Sequence, residues 1–263
     1  MNKKFLLSLT KREKFVIAVF ILSIGLFIFE YFGIKGIVFG IFLSLITDSI
    51  LYFILRKDIK GTFFYPILIL PFFYTLSFSF FYLLFPSRFI SRILITATYS
   101  FGLYSLFLTQ NIFAISSIRT INLVRSARII AFVITIVIFF FLTNVLFSSH
   151  IAIFFIPLIV FLIVFILNFQ SFWFYSLDKK DLKEIMIYAL LNSFCLSELS
   201  LVLTVWPVSP TIYSISLTGI FYFFSGLSQQ WFEQRLFRGI LWEYVWVGFL
   251  SILLLILFSS WGI

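Results

Sequence analysis

The chain has 263 residues, of which 62% are hydrophobic and only 11% are charged, a composition that excludes an ordinary soluble domain and is typical of a membrane protein. The formal net charge of +9 does not indicate a nucleic-acid partner, because the basic residues stand in short clusters at the ends of apolar runs. The single cysteine excludes a disulfide framework and a cysteine metal site. We therefore predict no cofactor and no metal.

Apolar runs of about 20 residues, the length that crosses a hydrocarbon layer of about 30 Å, recur along almost the whole chain. Charge clusters and Pro or Gly breaks divide them into nine spans, which predicts an all-α transmembrane helix bundle in one integral domain over residues 1–263. The predicted spans are residues 15–32, 36–55, 62–85, 89–110, 129–147, 151–172, 185–206, 211–228 and 240–261. The eighth has 18 residues, as few as the first, and a re-entrant segment is the alternative there.

The 19 Lys and Arg residues orient these spans, since cytoplasmic loops hold most of them. With the N-terminus inside, sixteen fall in inner segments and only Lys35, Arg88 and Arg92 fall outside. An odd number of spans then places the C-terminus outside. The 41 phenylalanines are typical of an AT-rich genome and indicate a bacterial source. The predicted location is therefore the bacterial cytoplasmic (inner) membrane.

The segment "NIFAISSIRTINLVRSAR", residues 111–128, is too polar to span a membrane. It mixes Ile, Leu and Val with Arg119, Arg125 and Arg128, which is typical of an amphipathic piece on the inner interface. Its arginines would then contact anionic lipid headgroups. An ordinary basic loop explains the same residues equally well.

The stretch "EQRLFRG" resembles the first motif of the CPBP family of intramembrane proteases, in which two adjacent glutamates precede Phe-Arg by two residues. Glu233, Phe237 and Arg238 match this motif, and Gln234 stands in place of the second glutamate. The family also needs histidines on later helices, whereas the one histidine of this chain, His150, precedes the motif. Because the water-activating set cannot be assembled, we interpret the stretch as a cytoplasmic loop and predict no catalytic residue.

Of the acids in predicted spans, Glu30 and Glu243 lie near the interfaces with basic neighbours available. Asp48 and Glu198 lie deeper, and a charge at the helix centre costs about 3 kcal/mol even on the gentlest scale. Asp48 lies eight residues before Arg56, about 12 Å from the inner boundary. Glu198 lies fourteen residues after Glu184, about 21 Å from that boundary, and Asn192 is at nearly the depth of Asp48. Asp48, Asn192 and Glu198 are therefore the candidate intramembrane polar site.

Small residues at helical spacing predict faces on which helices pack closely. They are Gly36, Gly40 and Ser44 before Asp48, Thr98, Gly102 and Ser105 in the fourth span, and Ser193, Ser197 and Ser200 in the seventh. We expect the face that carries Asp48 to point toward the protein interior, with Asn192 as a neighbour. Glu198 would form a separate station nearer the outside.

These features favour a small-solute or ion permease in which the two acids bind a cation or relay protons. An alternative is a non-catalytic integral subunit or scaffold of a membrane complex, whose acids are hydrogen-bonded between helices because burial disfavours their charged form. Its partner would be another membrane protein or a second copy of the chain. An intramembrane enzyme acting on lipid or peptide is the weaker alternative, because no nucleophile–base pair is visible.

Overall fold

The structure, a computed structural model, describes residues 10–29, 36–56, 64–85, 89–116, 123–149, 151–175 and 182–259. Every regular element in these ranges is an α-helix. The helices are α1 (Lys11–Phe29), α2 (Gly36–Leu55), α3 (Phe64–Tyr82), α4 (Phe89–Ser116), α5 (Val124–Ser148), α6 (Phe155–Tyr175), α7 (Leu182–Val205), α8 (Pro210–Phe232) and α9 (Arg238–Leu257). Each overlaps one predicted span.

Five of these helices, α2, α5, α6, α7 and α9, are long and apolar enough to cross a membrane, judged by length and composition. The apolar part of α3, Pro66–Tyr82, is shorter. The predicted all-α class and the membrane location that apolar helices indicate are thus confirmed. That all nine helices span the membrane stays a prediction.

Helix ends differ from the predicted span ends, because a helix continues beyond the hydrocarbon layer wherever its terminal groups find partners. The first helix starts at Lys11 rather than near residue 15. Thr10 and Glu13 form a capping box there, in which the Thr10 N–H donates to Glu13 Oε2 at 2.8 Å. The Glu13 N–H donates in turn to Thr10 Oγ1 at 3.4 Å.

Two further ends bear on the polar segment at residues 111–128. The fourth helix runs to Ser116 and the fifth starts at Val124, so both ends of the segment are helical. Arg125 and Arg128 belong to α5, whereas Arg119 lies outside the described residues.

The sixth helix starts at Phe155, four residues later than predicted, with Pro157 in its first turn, where proline is tolerated.

The chain divides into two compact units. Unit 1, Met1–Ile134, contains α1 to α4 and the beginning of α5. Its four complete helices form a ring in which α1 packs against α2, α2 against α3, α3 against α4 and α4 against α1. Fully buried Phe15 and Phe107 meet where α1 lies on α4, with ring centroids 5.8 Å apart.

Unit 2, Thr135–Ile263, contains the rest of α5 and the helices α6 to α9. The eighth helix packs against α6, α7 and α9. The fifth helix also contacts it through two stacked aromatic pairs, Phe139 with Phe221 and Phe147 with Tyr213. Four helices therefore surround α8, which makes it the central helix of unit 2.

Polar and apolar residues are distributed as a membrane protein requires, with apolar side chains on exposed helix faces and hydroxyl groups inside. Val38 on α2 is 74% exposed and Ile256 on α9 is 59% exposed, whereas Ser44 and Thr143 are fully buried. Buried hydroxyl groups commonly donate to the carbonyl four residues earlier, as Thr143 does to Phe139. This bond satisfies the hydroxyl group where no water can reach it.

Candidate functional site

Asp48 lies on α2 in a partly buried position. Its Oδ1 atom is shielded from solvent and has no hydrogen-bond partner in the structure. The small residues that precede it, Gly36, Gly40 and Ser44, are buried, and the Ser44 hydroxyl donates to the Gly40 carbonyl at 2.8 Å. This side of α2 is thus a packing face, and Asp48 lies at its cytoplasmic end in the predicted topology.

Next to Asp48 begins a chain of buried hydroxyl groups that links three helices. Thr75 donates to Thr47 Oγ1 at 3.1 Å and lies 3.1 Å from the hydroxyl oxygen of Tyr99. Thr47 itself donates to the Leu43 carbonyl. Because Thr75 has one proton to give, Tyr99 must donate to Thr75, so each hydroxyl group donates once. These three hydroxyl groups therefore connect α2, α3 and α4.

The fourth helix meets α3 at a glycine. The hydroxyl group of Tyr74 occupies the place that a Cβ atom of Gly102 would take, and it donates to the Tyr99 carbonyl at 3.2 Å. Thr98 is exposed and Ser105 is partly buried, and each donates to a carbonyl of its own helix. Of this predicted small-residue face, Gly102 is the position that makes room for a side chain of α3.

Unit 2 contains a row of amide–hydroxyl hydrogen bonds that converge on α8. The Ser225 hydroxyl donates to Asn168 Oδ1 of α6 at 2.7 Å. Gln229 Nε2 donates to the Ser171 hydroxyl of the same helix at 2.8 Å. Asn192 of α7 donates through Nδ2 to the hydroxyl of Ser228 at 3.0 Å. Three helices are therefore joined by uncharged polar groups inside an apolar bundle.

Several polar atoms of this interior have no partner. Asn168 is fully buried, and its Nδ2 atom lacks an acceptor. Gln170 is 1% exposed, and neither atom of its amide group is hydrogen-bonded. On α8 the hydroxyl groups of Ser216 and Thr218 are likewise unpaired. Unit 2 thus contains buried hydrogen-bond donors and acceptors that have no partner within it.

The seventh helix places its predicted residues on different sides. Ser193 and Ser200 are buried, and the Ser197 hydroxyl donates to the Pro157 carbonyl of α6 at 2.9 Å. Asn192 is buried against α8, whereas Glu198 is exposed. Asn192 therefore belongs to the interior of unit 2, and Glu198 belongs to an outer face of α7.

Asp48 and Asn192 fall in different units, each of which is described by itself. Their predicted proximity stays a prediction. Arg119, one of the three arginines predicted to contact lipid headgroups, lies outside the described residues. His150, the one histidine of the sequence, also lies outside them. Across the described ranges, no three His, Cys, Asp or Glu side chains come together as metal ligands.

The stretch "EQRLFRG" is the end of α8, a short connection and the start of α9. Glu233 is the C-cap of α8, and Gln234 has a φ of 56°. The Gln234 N–H donates to the Trp231 carbonyl at 2.9 Å, and the Arg235 N–H donates to the Gln230 carbonyl at 3.0 Å. This pair of bonds is a Schellman motif, which ends α8 at this stretch. That none of its residues is catalytic stays a prediction.

Of the amide–hydroxyl row, only Asn192 was singled out in the sequence. A signal was present in "NFQS" of α6 and "SGLSQQ" of α8, where amides and hydroxyl groups stand three or four residues apart inside apolar runs. Sequence alone does not show which helices are neighbours. The partners Asn168–Ser225 and Ser171–Gln229 therefore became visible only in the structure.

The fold and this polar interior define the chain as a helical membrane protein with buried, uncharged hydrogen-bonding groups. The chain belongs to the family described as "Protein of unknown function (DUF5656)", whose model matches residues 25–258. No curated protein and no solved structure matches the chain.

Proposed function

We propose that this protein is a nine-span permease of the bacterial cytoplasmic membrane and that its solute is small, polar and uncharged. The observation that carries the proposal is the central position of α8, whose hydroxyl and amide groups lie inside unit 2 among apolar helices. Such groups recognise uncharged polar solutes by hydrogen bonding and offer no charge to an ion.

The polar groups of α8 form a stripe rather than isolated points. Thr218, Ser225 and Gln229 are separated by seven and four residues, which places them on one side of the helix. The stripe extends over about 16 Å at the usual rise of α-helices. This length would let a solute exchange hydrogen-bond partners along much of a membrane crossing.

Asn168 is the residue we assign to solute binding in this stripe. Its Oδ1 atom is held by Ser225, which fixes the orientation of the amide group and leaves Nδ2 as a donor without a partner. A hydroxyl or carbonyl oxygen of a solute would accept from Nδ2. Leaving a buried donor unpaired costs about 1–3 kcal/mol, which a bound solute would recover.

The orientation within this proposal, N-terminus inside and C-terminus outside, is supported by the distribution of basic residues. Five precede the first predicted span, and further clusters follow the second, fourth, sixth and eighth. Each cluster falls between the ends of consecutive helices or at such an end. The same distribution supports nine crossings, because one omitted crossing would invert every later cluster.

Solute flux into proteoliposomes tests the proposal. Purified protein would be reconstituted, and vesicle swelling in glycerol or urea would be followed by light scattering. We expect faster swelling than in protein-free vesicles, and a roughly tenfold slower protein-dependent rate for Asn168→Leu, the variant that loses the donor. Ser49→Ala is the matched control, since Ser49 is exposed and donates only to its own helix.

A folded protein that accelerates neither solute would contradict the permease proposal for this class of solute. An ion permease is a second candidate, and the unpaired Oδ1 atom of Asp48 favours it. A pH-sensitive dye inside the same vesicles would report proton flux that Asp48→Asn abolishes. Absence of all three fluxes would instead favour a scaffold or subunit role.

A further inference from the structure

Two stacked aromatic pairs define how α5 lies against α8. Phe139 stacks on Phe221 with ring centroids 4.4 Å apart, and Phe147 stacks on Tyr213 with ring centroids 4.2 Å apart. From the first pair to the second, the residue number rises along α5 by as much as it falls along α8. The two helices are therefore antiparallel here, and their residues stay level with each other between the two pairs.

Asn144 and Thr218 occupy equivalent places beside this contact. Asn144 lies five residues after the first ring of α5 and three before the second, and Thr218 has the same spacing to the two rings of α8. At about 100° per residue, each is rotated about 60° beyond the ring that follows it. In an antiparallel pair the same rotation on both helices leads to the same side of the contact. The two side chains therefore flank one groove between α5 and α8, at levels that differ by about 3 Å.

Both side chains are buried and have unused hydrogen-bonding atoms. Asn144 is 7% exposed and Thr218 is 8% exposed. The Thr218 hydroxyl group has no hydrogen-bond partner, and the Asn144 amide forms no hydrogen bond with any residue that the structure describes. Ser214 on the same helix, in contrast, donates to the Pro210 carbonyl. Because buried polar groups are normally paired, the groove is a place where a bound molecule would supply the missing partners.

The way in which α5 meets α8 leaves space in this groove. The ninth helix approaches α8 at Gly219, where a Cβ atom would overlap the Ser251 hydroxyl group. The fifth helix meets α8 through stacked rings instead, and rings hold two backbones further apart than glycines do. The sixth helix borders the same side of α8, since Ser225, about 20° from Thr218 around the helix, donates to Asn168.

We propose that Asn144 and Thr218 form a second solute-binding site, in the groove between α5 and α8 and about 10 Å along α8 from the level of Ser225 and Asn168. The inference rests on the proposed function and adds a residue of α5 to it. An amide group offers a donor and an acceptor, and a hydroxyl group offers both. The site therefore fits a small uncharged molecule that donates and accepts, such as a polyol, and it holds no charge for an ion.

Thiol labelling tests whether a solute enters this groove. Asn144→Cys and Thr218→Cys would each be introduced into the full-length protein carrying Cys195→Ser, which removes the one native thiol. The reconstituted proteins would be treated with methyl methanethiosulfonate, a small uncharged reagent, and the labelled fraction followed by mass spectrometry. We expect both cysteines to react, and glycerol to slow the reaction roughly tenfold once about nine-tenths of the sites are occupied, since an occupied site cannot react.

Ser216→Cys is the matched control for this labelling. Ser216 is 1% exposed and lies two residues from Thr218, which places it on the opposite side of α8. Glycerol should leave its labelling rate unchanged. Equal slowing at position 216 would show a general effect of glycerol, and unslowed labelling at positions 144 and 218 would show a groove that holds water only. Failure of both cysteines to react would show that nothing enters. Each of these results would overturn the proposal.

A second substitution tests the hydrogen bond from Thr218. In the Asn144→Cys protein, Thr218→Val preserves the shape of the side chain and removes its hydroxyl group. We expect the glycerol concentration that halves the labelling rate to rise roughly tenfold. Thr143→Val is the control, because the Thr143 hydroxyl group already donates to the Phe139 carbonyl and is not available to a solute. An unchanged glycerol concentration in a Thr218→Val protein that elutes as the parent does on gel filtration would contradict the assignment.

Labelling and vesicle swelling separate this inference from the proposed function. Slowed labelling without accelerated swelling would support the binding site and refute the permease. Accelerated swelling without slowed labelling would refute the binding site alone.

Discussion

Thr75 is the residue on which the hydroxyl chain of unit 1 depends most directly, because it lies between Thr47 and Tyr99. Thr75→Val preserves the shape of the side chain and leaves both neighbours without one bond. We expect a loss of about 1–2 kcal/mol in the free energy of unfolding. Thermal unfolding in detergent, followed by tryptophan fluorescence, measures it. Ser49→Ala, which removes an exposed hydroxyl group, should change stability by less than about 0.5 kcal/mol.

Gln234 occupies a backbone conformation that glycine adopts without strain. Its φ of 56° ends α8. The described contacts include no side-chain hydrogen bond of Gln234 that would offset the backbone strain of this conformation. We expect Gln234→Gly to stabilise the protein by about 0.5–1 kcal/mol, which raises the melting temperature by roughly 1–4 °C. Gln234→Val should lower it, since β-branched residues tolerate this region poorly. A lower melting temperature in the glycine variant would contradict this interpretation of the motif.

Two substitutions of Asp48 distinguish whether this residue titrates during transport or only stabilises the fold. Asp48→Asn keeps hydrogen-bonding atoms and abolishes titration, whereas Asp48→Leu removes both. If Asp48 carries ions, both variants should lose proton flux while retaining the fold. A structural Asp48 should tolerate Asn and lose stability with Leu. Melting temperature and proton flux measured on the same preparations decide between the two.

Glycines determine how closely α8 and α9 approach. A Cβ atom on Gly219 would overlap the hydroxyl group of Ser251 and lie 2.8 Å from its Cβ atom. We expect Gly219→Ala to cost about 1–3 kcal/mol through overpacking. Adding Ser251→Gly should restore part of that loss, since it removes the clashing atoms. A double-mutant cycle on thermal stability measures the coupling.

The control for this pair is Gly239, which also lies on α9. A Cβ atom added there would have no neighbour within 4 Å, so Gly239→Ala should not destabilise the protein. If both alanine variants lowered stability equally, the contact with Ser251 would not be the cause of the loss.

The nine helices of the described residues could be predicted because each is an apolar run bounded by charges, by polar turns or by Pro or Gly breaks, a signal that needs no knowledge of neighbours. The start of α1 could also have been predicted, since "TKRE" has the spacing of a capping box. The polar interior could not. Asp48 and Glu198 are conspicuous as charges, but Asn168 and Ser225 gain meaning only from their contact. Which helices pack together depends on three-dimensional fit rather than on any local pattern.

At the scale of the whole molecule, topology follows from the count of crossings. We expect a reporter fused after Asp181 to be cytoplasmic and one fused after Ile263 to be external, because sixteen of the 19 basic residues would then lie inside. Alkaline phosphatase and a fluorescent protein, which report opposite sides, provide the measurement. A cytoplasmic C-terminus with a cytoplasmic Asp181 would reduce the count and make α8 re-entrant.

The central position of α8 also has a consequence for how the protein is made. Insertion into a membrane selects segments by their apolar content, one after another as they leave the ribosome. By its apolar content the eighth helix should insert poorly, because it contains several serines and glutamines. Its polar stripe is shielded from lipid only when α6 and α7 already pack beside it. Gly219 and Gly226 of α8 are covered only when α9 packs against them. We therefore expect biogenesis to stall at α8 until its neighbours assemble, so that shortening the chain before α9 leaves α8 accessible to protease.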